Sequence, residues 1–216
     1  MTKHIRWIPC CLLLSFVLGG CQGSGEMHNF NLHALSSSPA RSEAFHDDSI
    51  KILVQPFQDN RDQQQRIGQR THFWGGTTQF NVWNGQVGDG MADLAVEYLL
   101  QRKWQAARDR PTADGSLPPH DVILTGDVLT LQANAKSGFG FTDIEVRMKV
   151  GFEAKNLTDG STVRIVLGAN RSDRVVTFDP KDVEQLTNFV AKDLFNQLFQ
   201  DLTVKNRAFH LKSEVR

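Results

Sequence analysis

The clearest alternation of apolar and polar positions in the chain lies between 144 and 155. Ile144, Val146, Met148, Val150, Phe152 and Ala154 take one set of positions, and Glu145, Arg147, Lys149, Gly151, Glu153 and Lys155 take the other. Successive side chains of a strand point to opposite faces, so this pattern predicts a strand with one buried and one wet side. Asp159-Gly160 follows as a turn signal suited to a type I′ hairpin, and Val163, Ile165, Leu167 and Ala169 resume the period on the return strand. Upstream, a long strand is predicted from about Asp121 to Ala133. A first strand is predicted at Ile50, Ile52 and Val54; it stops at Pro56, which has no N–H to donate.

Two stretches switch to helical spacing. Met91, Leu94, Ala95, Tyr98 and Leu99 recur at three and four, with Asp89 placed to cap the first turn. The second helix is announced by Asp179 as N-cap and Pro180 as first helical residue. Val183, Leu186, Val190, Leu194, Leu198 and Leu202 then form an apolar stripe, widened by Phe189, Phe195 and Phe199. The order strand, helix, strand, strand, strand, helix predicts an α+β fold: a two-layer sandwich with both helices on one face of a mixed sheet of about four strands.

The amino-terminal region is patterned differently. Lys3 and Arg6 precede an apolar run from Ile8 to Leu18 that is too short to span a bilayer, which takes about 20 residues. A cationic lead, an apolar middle and the small residues Gly19 and Gly20 form the layout of a secretory signal. Leu18-Gly19-Gly20-Cys21 resembles the bacterial lipobox, which implies cleavage before Cys21, acylation of its thiol and a lipid anchor. Gln22, rather than Asp, implies by the same resemblance the outer membrane, with the protein facing the periplasm. The simpler alternative is an ordinary signal peptide with a chance cysteine. A disulfide is excluded for the mature chain, because Cys10, Cys11 and Cys21 are the only cysteines and two of them lie in the signal. The expected division is therefore a signal peptide at 1–20, a lipidated cysteine and flexible tether at 21–48, an α+β domain at 49–205 and a tail at 206–216. Within the tether, Phe30, Leu32 and Leu35 could instead dock on the domain.

Loss of residues 1–20 removes two cations and no acid from a neutral chain, leaving a net charge of about −2. This gives no electrostatic case for nucleic acid, whose phosphates are met by clustered cations. The seven histidines show no ligand spacing, so no metal site is argued, and no cofactor is implied. No Gly-x-Ser-x-Gly elbow occurs, and Gly88-Asp89-Gly90 and Gly138-Phe139-Gly140 are fragments of a phosphate-binding loop without the rest.

The segment "IKILVQPFQDNRD" followed by a helix resembles the opening of a group of envelope domains that includes LpoB, CsgG and the amino-terminal domain of TolB. Residues 50–203 look most like the YajG-type lipoproteins in element order and final amphipathic helix, and depart from them in the long insertion "RIGQRTHFWGGTTQFNVWNGQ". The resemblance implies a non-catalytic periplasmic module that recognises another envelope component.

The candidate contact residues are aromatic. Phe73, Trp74, Phe80 and Trp83 lie in the insertion around Gly75-Gly76, and Phe139 and Phe141 lie at a glycine-rich turn. Aromatics supply large contact area at low entropic cost, so on exposed loops they would form a binding platform. Buried, Phe80 would face the core, Trp74 would cover a sheet edge, and Phe139 and Phe141 would staple their turn. Trp104 is expected in the core. Asp59 and Asp62 flank Arg61, which favours a turn ion pair over acid–base work. The expected function is a membrane-anchored, non-catalytic binding module with an envelope protein as partner. The alternatives are an auxiliary subunit of an oligomeric or transporter assembly and an envelope hydrolase; the oligomeric state is open. Replacing Cys21 by serine is expected to abolish palmitate labelling and release the chain from the membrane fraction. A Cys21→Ser chain still recovered with membranes would contradict the anchor.

Overall fold

The computed structural model describes residues 25–33, 50–83, 86–111 and 115–212, so Cys21 and its lipobox lie outside the described residues. Eleven strands and two helices occur among them: β1 Met27–Phe30, β2 Lys51–Val54, β3 Gln58–Asp59, β4 Gly68–Thr71, β5 Thr77–Val82, α1 Val87–Gln101, β6 Gln105–Arg108, β7 Val122–Gly138, β8 Phe141–Asn156, β9 Thr162–Val175, α2 Pro180–Asp201, β10 Leu202–Lys205 and β11 Ala208–Leu211. β1 to β9 form one nine-stranded mixed sheet, and β10 and β11 form a separate hairpin. The expected four-strand sandwich is thus incorrect: the sheet has nine strands. The four expected strands correspond to β2, β7, β8 and β9.

β7 is the spine. Along one edge it pairs antiparallel with β8 over its whole length, from Val122↔Asn156 to Gly138↔Phe141. Along the other edge three short strands follow one another in parallel: β2 at Ile52↔Val122, β3 at Asp59↔Val128 and β4 at Arg70↔Ala135. A register shift falls between Val128 and Thr130. Before it the even positions of β7 (Val122, Leu124, Val128) are buried, and after it the odd ones (Leu131, Ala133, Ala135) are. One extra residue, Leu129, therefore keeps the apolar side on the core face through a change of parity. Three of the missed strands lack any such signal. β3, β4 and β6 ("QD", "GQRT" and "QAAR") contribute no fully buried side chain and are held through their backbones.

Both helices pack into one continuous core with the even positions of β8. The apolar face of α1 is the expected one, with Met91, Leu94, Ala95, Tyr98 and Leu99 all buried. Its first turn differs, because Asp89 lies inside the helix and pairs with Arg108 at 2.6 Å rather than capping it. Gly88 is fixed by close approach: a Cβ there would come 1.9 Å from the carbonyl oxygen of Phe57. The expected cap of α2 is present as a reciprocal box, with Asp179 accepting from the Lys181 N–H at 2.9 Å and Asp182 accepting from the Asp179 N–H at 2.9 Å. The β8–β9 turn is longer than a type I′ hairpin. Gly160 alone has positive φ, and Asp159 instead accepts from the N–H of Ser161 at 2.9 Å.

Parts of the expected tether and of the expected tail are built into the fold. Part of the tether forms β1, which pairs parallel with β5, and Phe30 and Leu32 are buried. Asn188 of α2 then holds the following backbone, accepting from the His33 N–H at 3.0 Å and donating to the Asn31 carbonyl at 3.1 Å. The expected tail supplies β11. Asn206 and Arg207 both have positive φ, as a two-residue type I′ turn requires, and Ala208 and Phe209 are buried. Asn156, wholly buried, pins this hairpin by accepting from the Phe209 N–H at 2.8 Å and donating to the Phe209 carbonyl at 2.8 Å.

Each backbone group left unpaired in the interior costs ~1–3 kcal/mol, so Asn156→Ala is expected to lower stability by roughly 2–4 kcal/mol. Urea unfolding with an unchanged midpoint would show that the amide contributes nothing. Tyr98, the single tyrosine of the chain, donates to Asn196 Oδ1 at 2.8 Å. Burial raises its pKa well above the ordinary value, against the smaller opposing effect of Arg102. A raised phenol pKa means that the folded state favours the neutral form. The resulting stability is complete below the ordinary value of about 10 and declines as pH rises beyond it. Ultraviolet titration is expected to show no phenolate near pH 10 in the folded protein and about half ionisation there once it is denatured.

Candidate functional site

The six aromatic candidates separate into three places. Phe80 is a core residue with no exposure, tilted against Phe30 at 5.2 Å between ring centroids. Trp83 is 59% exposed at the far end of β5. Six residues of extended chain, ~20 Å at 3.3 Å per residue, separate it from Thr77. The other four lie at the tips of two hairpins, which β4–β7 pairing sets side by side. Phe73 and Trp74 occupy the β4–β5 turn, where Gly75 and Gly76 have φ of 92° and 83°. Phe139 and Phe141 flank Gly140, with φ of 77°, at the β7–β8 turn.

At this end Phe73 meets Trp74 edge-on at 4.8 Å and Phe139 at 6.4 Å. Trp74 is 83% exposed and Phe139 87% exposed, so neither covers an edge nor staples a turn. Phe141 is half-buried, with the Arg174 guanidinium 4.3 Å above its ring. Arg174 also pairs with Asp143 at 2.6 Å, and the hydrogen bond from it holds the Asp143 carboxyl below its usual range. Val176, which follows the residue of β9 paired with Thr142, is 84% exposed at the same end. The three most exposed large apolar side chains of the described residues, Phe139, Val176 and Trp74, thus share one tip. Val176 is the contributor that the sequence did not single out, since a lone valine between strand and helix carries no signal.

The remaining candidates resolve into structure. The carboxylate of Asp59 is gripped at both oxygens by Arg61, at 2.7 and 2.8 Å, and the buried guanidinium also reaches the carbonyl of Arg66 at 3.1 Å. Asp62 is exposed beside it. His72, bonded to Thr78 Oγ1 at 2.8 Å, lies ~25 Å further along β7 at the strand rise. Trp104 packs on Phe199 and Phe209 at 5.3 and 5.6 Å. Among the described residues no three His, Cys, Asp or Glu side chains gather as a metal site, and no helix is long and apolar enough to cross a membrane. A concavity of about 890 Å³ forms an open saddle on the wet face of the sheet. Its lining of Gln69, Asn134, Lys136, Glu145 and Arg174 is polar, unlike the enclosed and mostly apolar cavities that take small ligands.

The sequence matches no protein-family model and no curated protein. In fold the chain is similar to protein XCC0632 from Xanthomonas campestris, a DUF330-family structure. The TM-score is 0.51 at 11% identity, over 81% of this chain and 92% of that one. That likeness supports a shared fold. Weaker matches are lipoprotein GNA1162 from Neisseria meningitidis (TM-score 0.36, 12% identity, 68% and 99% of the two chains) and the PelC dodecamer from Paraburkholderia phytofirmans (0.38, 16%, 74% and 94%). Those scores are too low to carry an argument. The finer assignment to the YajG-type lipoproteins rests on the sequence alone.

Proposed function

We propose that this is a lipoprotein of the bacterial envelope, anchored through acyl chains on Cys21 at the outer membrane and facing the periplasm. Its domain binds another envelope component without catalysing a reaction, and the contact is the aromatic tip formed by Phe73, Trp74 and Phe139. The observation that carries this reading is the convergence of two turns, far apart in sequence, on one exposed apolar cluster. A solvated tip gains nothing from presenting an indole and a phenyl ring to water, whereas burial of each would contribute ~1.5–3 kcal/mol. The Gly-x-Ser-x-Gly elbow missing from the sequence and the engagement of Asp59 by Arg61 favour binding over hydrolysis.

A photoreactive side chain at position 74 is expected to form adducts with an envelope component in intact cells, while one at position 83 forms markedly fewer. Replacing Phe73 and Phe139 by serine should reduce the yield at position 74 several-fold with unchanged circular dichroism. Equal labelling from both positions would remove the tip as the contact.

A further inference from the structure

The aromatic tip and the point at which the chain enters the domain lie at the same end of the sheet. β1 runs parallel to β5, with Met27 opposite Gln79, so its start lies at the start of β5, directly after the Gly75-Gly76 turn. The Gly25 N–H donates to the Thr77 carbonyl at 3.2 Å, and the Gln79 N–H donates to the Glu26 carbonyl at 2.8 Å. Further on, Asn188 fixes the backbone at Asn31 and His33, so the entering segment is fastened from Gly25 onward. Cys21 precedes Gly25 by four residues, which span at most ~14 Å. A lipid on Cys21 would therefore leash the tip end of the sheet to the bilayer surface, with Trp83 ~20 Å further away along β5.

Resting on the proposed anchor, we infer that the component bound by the tip is the bilayer that holds the anchor: Trp74 and Phe139, with Phe73 and Val176 beside them, seat in its headgroup region. Indole rings favour that depth, with the apolar body toward the chains and the N–H toward water. The acyl chains on Cys21 already hold the protein at the bilayer, so seating the tip is an intramolecular step at high effective concentration. Charge contributes little: Arg70, Lys136 and Arg174 at this end are matched by Glu26, Asp143 and Asp173. The tip is therefore expected to seat without needing anionic lipid.

The test uses the full lipidated chain reconstituted into vesicles of phosphatidylethanolamine and phosphatidylglycerol, with part of the lipid brominated on its acyl chains. Bromine is expected to quench tryptophan emission in the native chain and in Trp83→Phe, and the quenchable component should be lost in Trp74→Phe. No quenching, or quenching that persists in Trp74→Phe, overturns the bilayer as occupant. In that event, adducts from position 74 in cells that contain a protein would leave the binding reading standing with a different partner. Absence of any adduct would end both. A chain that cannot be recovered with membranes at all would refute the anchor itself.

Discussion

Four strands of this domain are registered directly against one, β7. β7 carries a full-length antiparallel partner on one edge and three short parallel partners in series on the other. A strand shared in this way must keep one face apolar over 17 residues. A twisted ribbon of that length would lose its match to the helix layer if the alternation ran unbroken, and the extra residue at Leu129 resets it. The same strand also sets the position of the tips, since β4 meets it at Arg70↔Ala135 just before both turns. The aromatic cluster is thus a by-product of register as much as of composition.

What could be read from the sequence follows from how each element is held. β8 was legible because its alternating apolar side chains from Ile144 to Ala154 are all buried in the core, and α1 and α2 were legible because their stripes face the same core. β4 and β6 could not be read, because strands fastened by backbone hydrogen bonds leave no hydrophobic period. β1 and β11 hide for a related reason: each offers one or two buried residues, Phe30 in one and Ala208 and Phe209 in the other, too few to separate from a polar linker.

The candidate site was legible by residue type but not by arrangement. Phe73, Trp74, Phe80 and Trp83 form one aromatic group in sequence, yet strand geometry sends Phe80 inward and Trp83 to the opposite end. The neighbour that completes the tip, Phe139, lies 65 positions beyond Trp74 and reaches Phe73 only through strand pairing. Arg61 illustrates the reverse: a charged residue in a polar loop proved to be buried, because Asp59 and two carbonyls satisfy its guanidinium.

The grip of Asn188 on the backbone after β1 spans 155 residues of sequence. Long-range closures of this kind form late, since the entropy of a large loop must be lost before the contact can compensate for it. Among the described residues, β1 can pair with the nearby β5 early, whereas the backbone that follows it is secured only when the distant α2 docks.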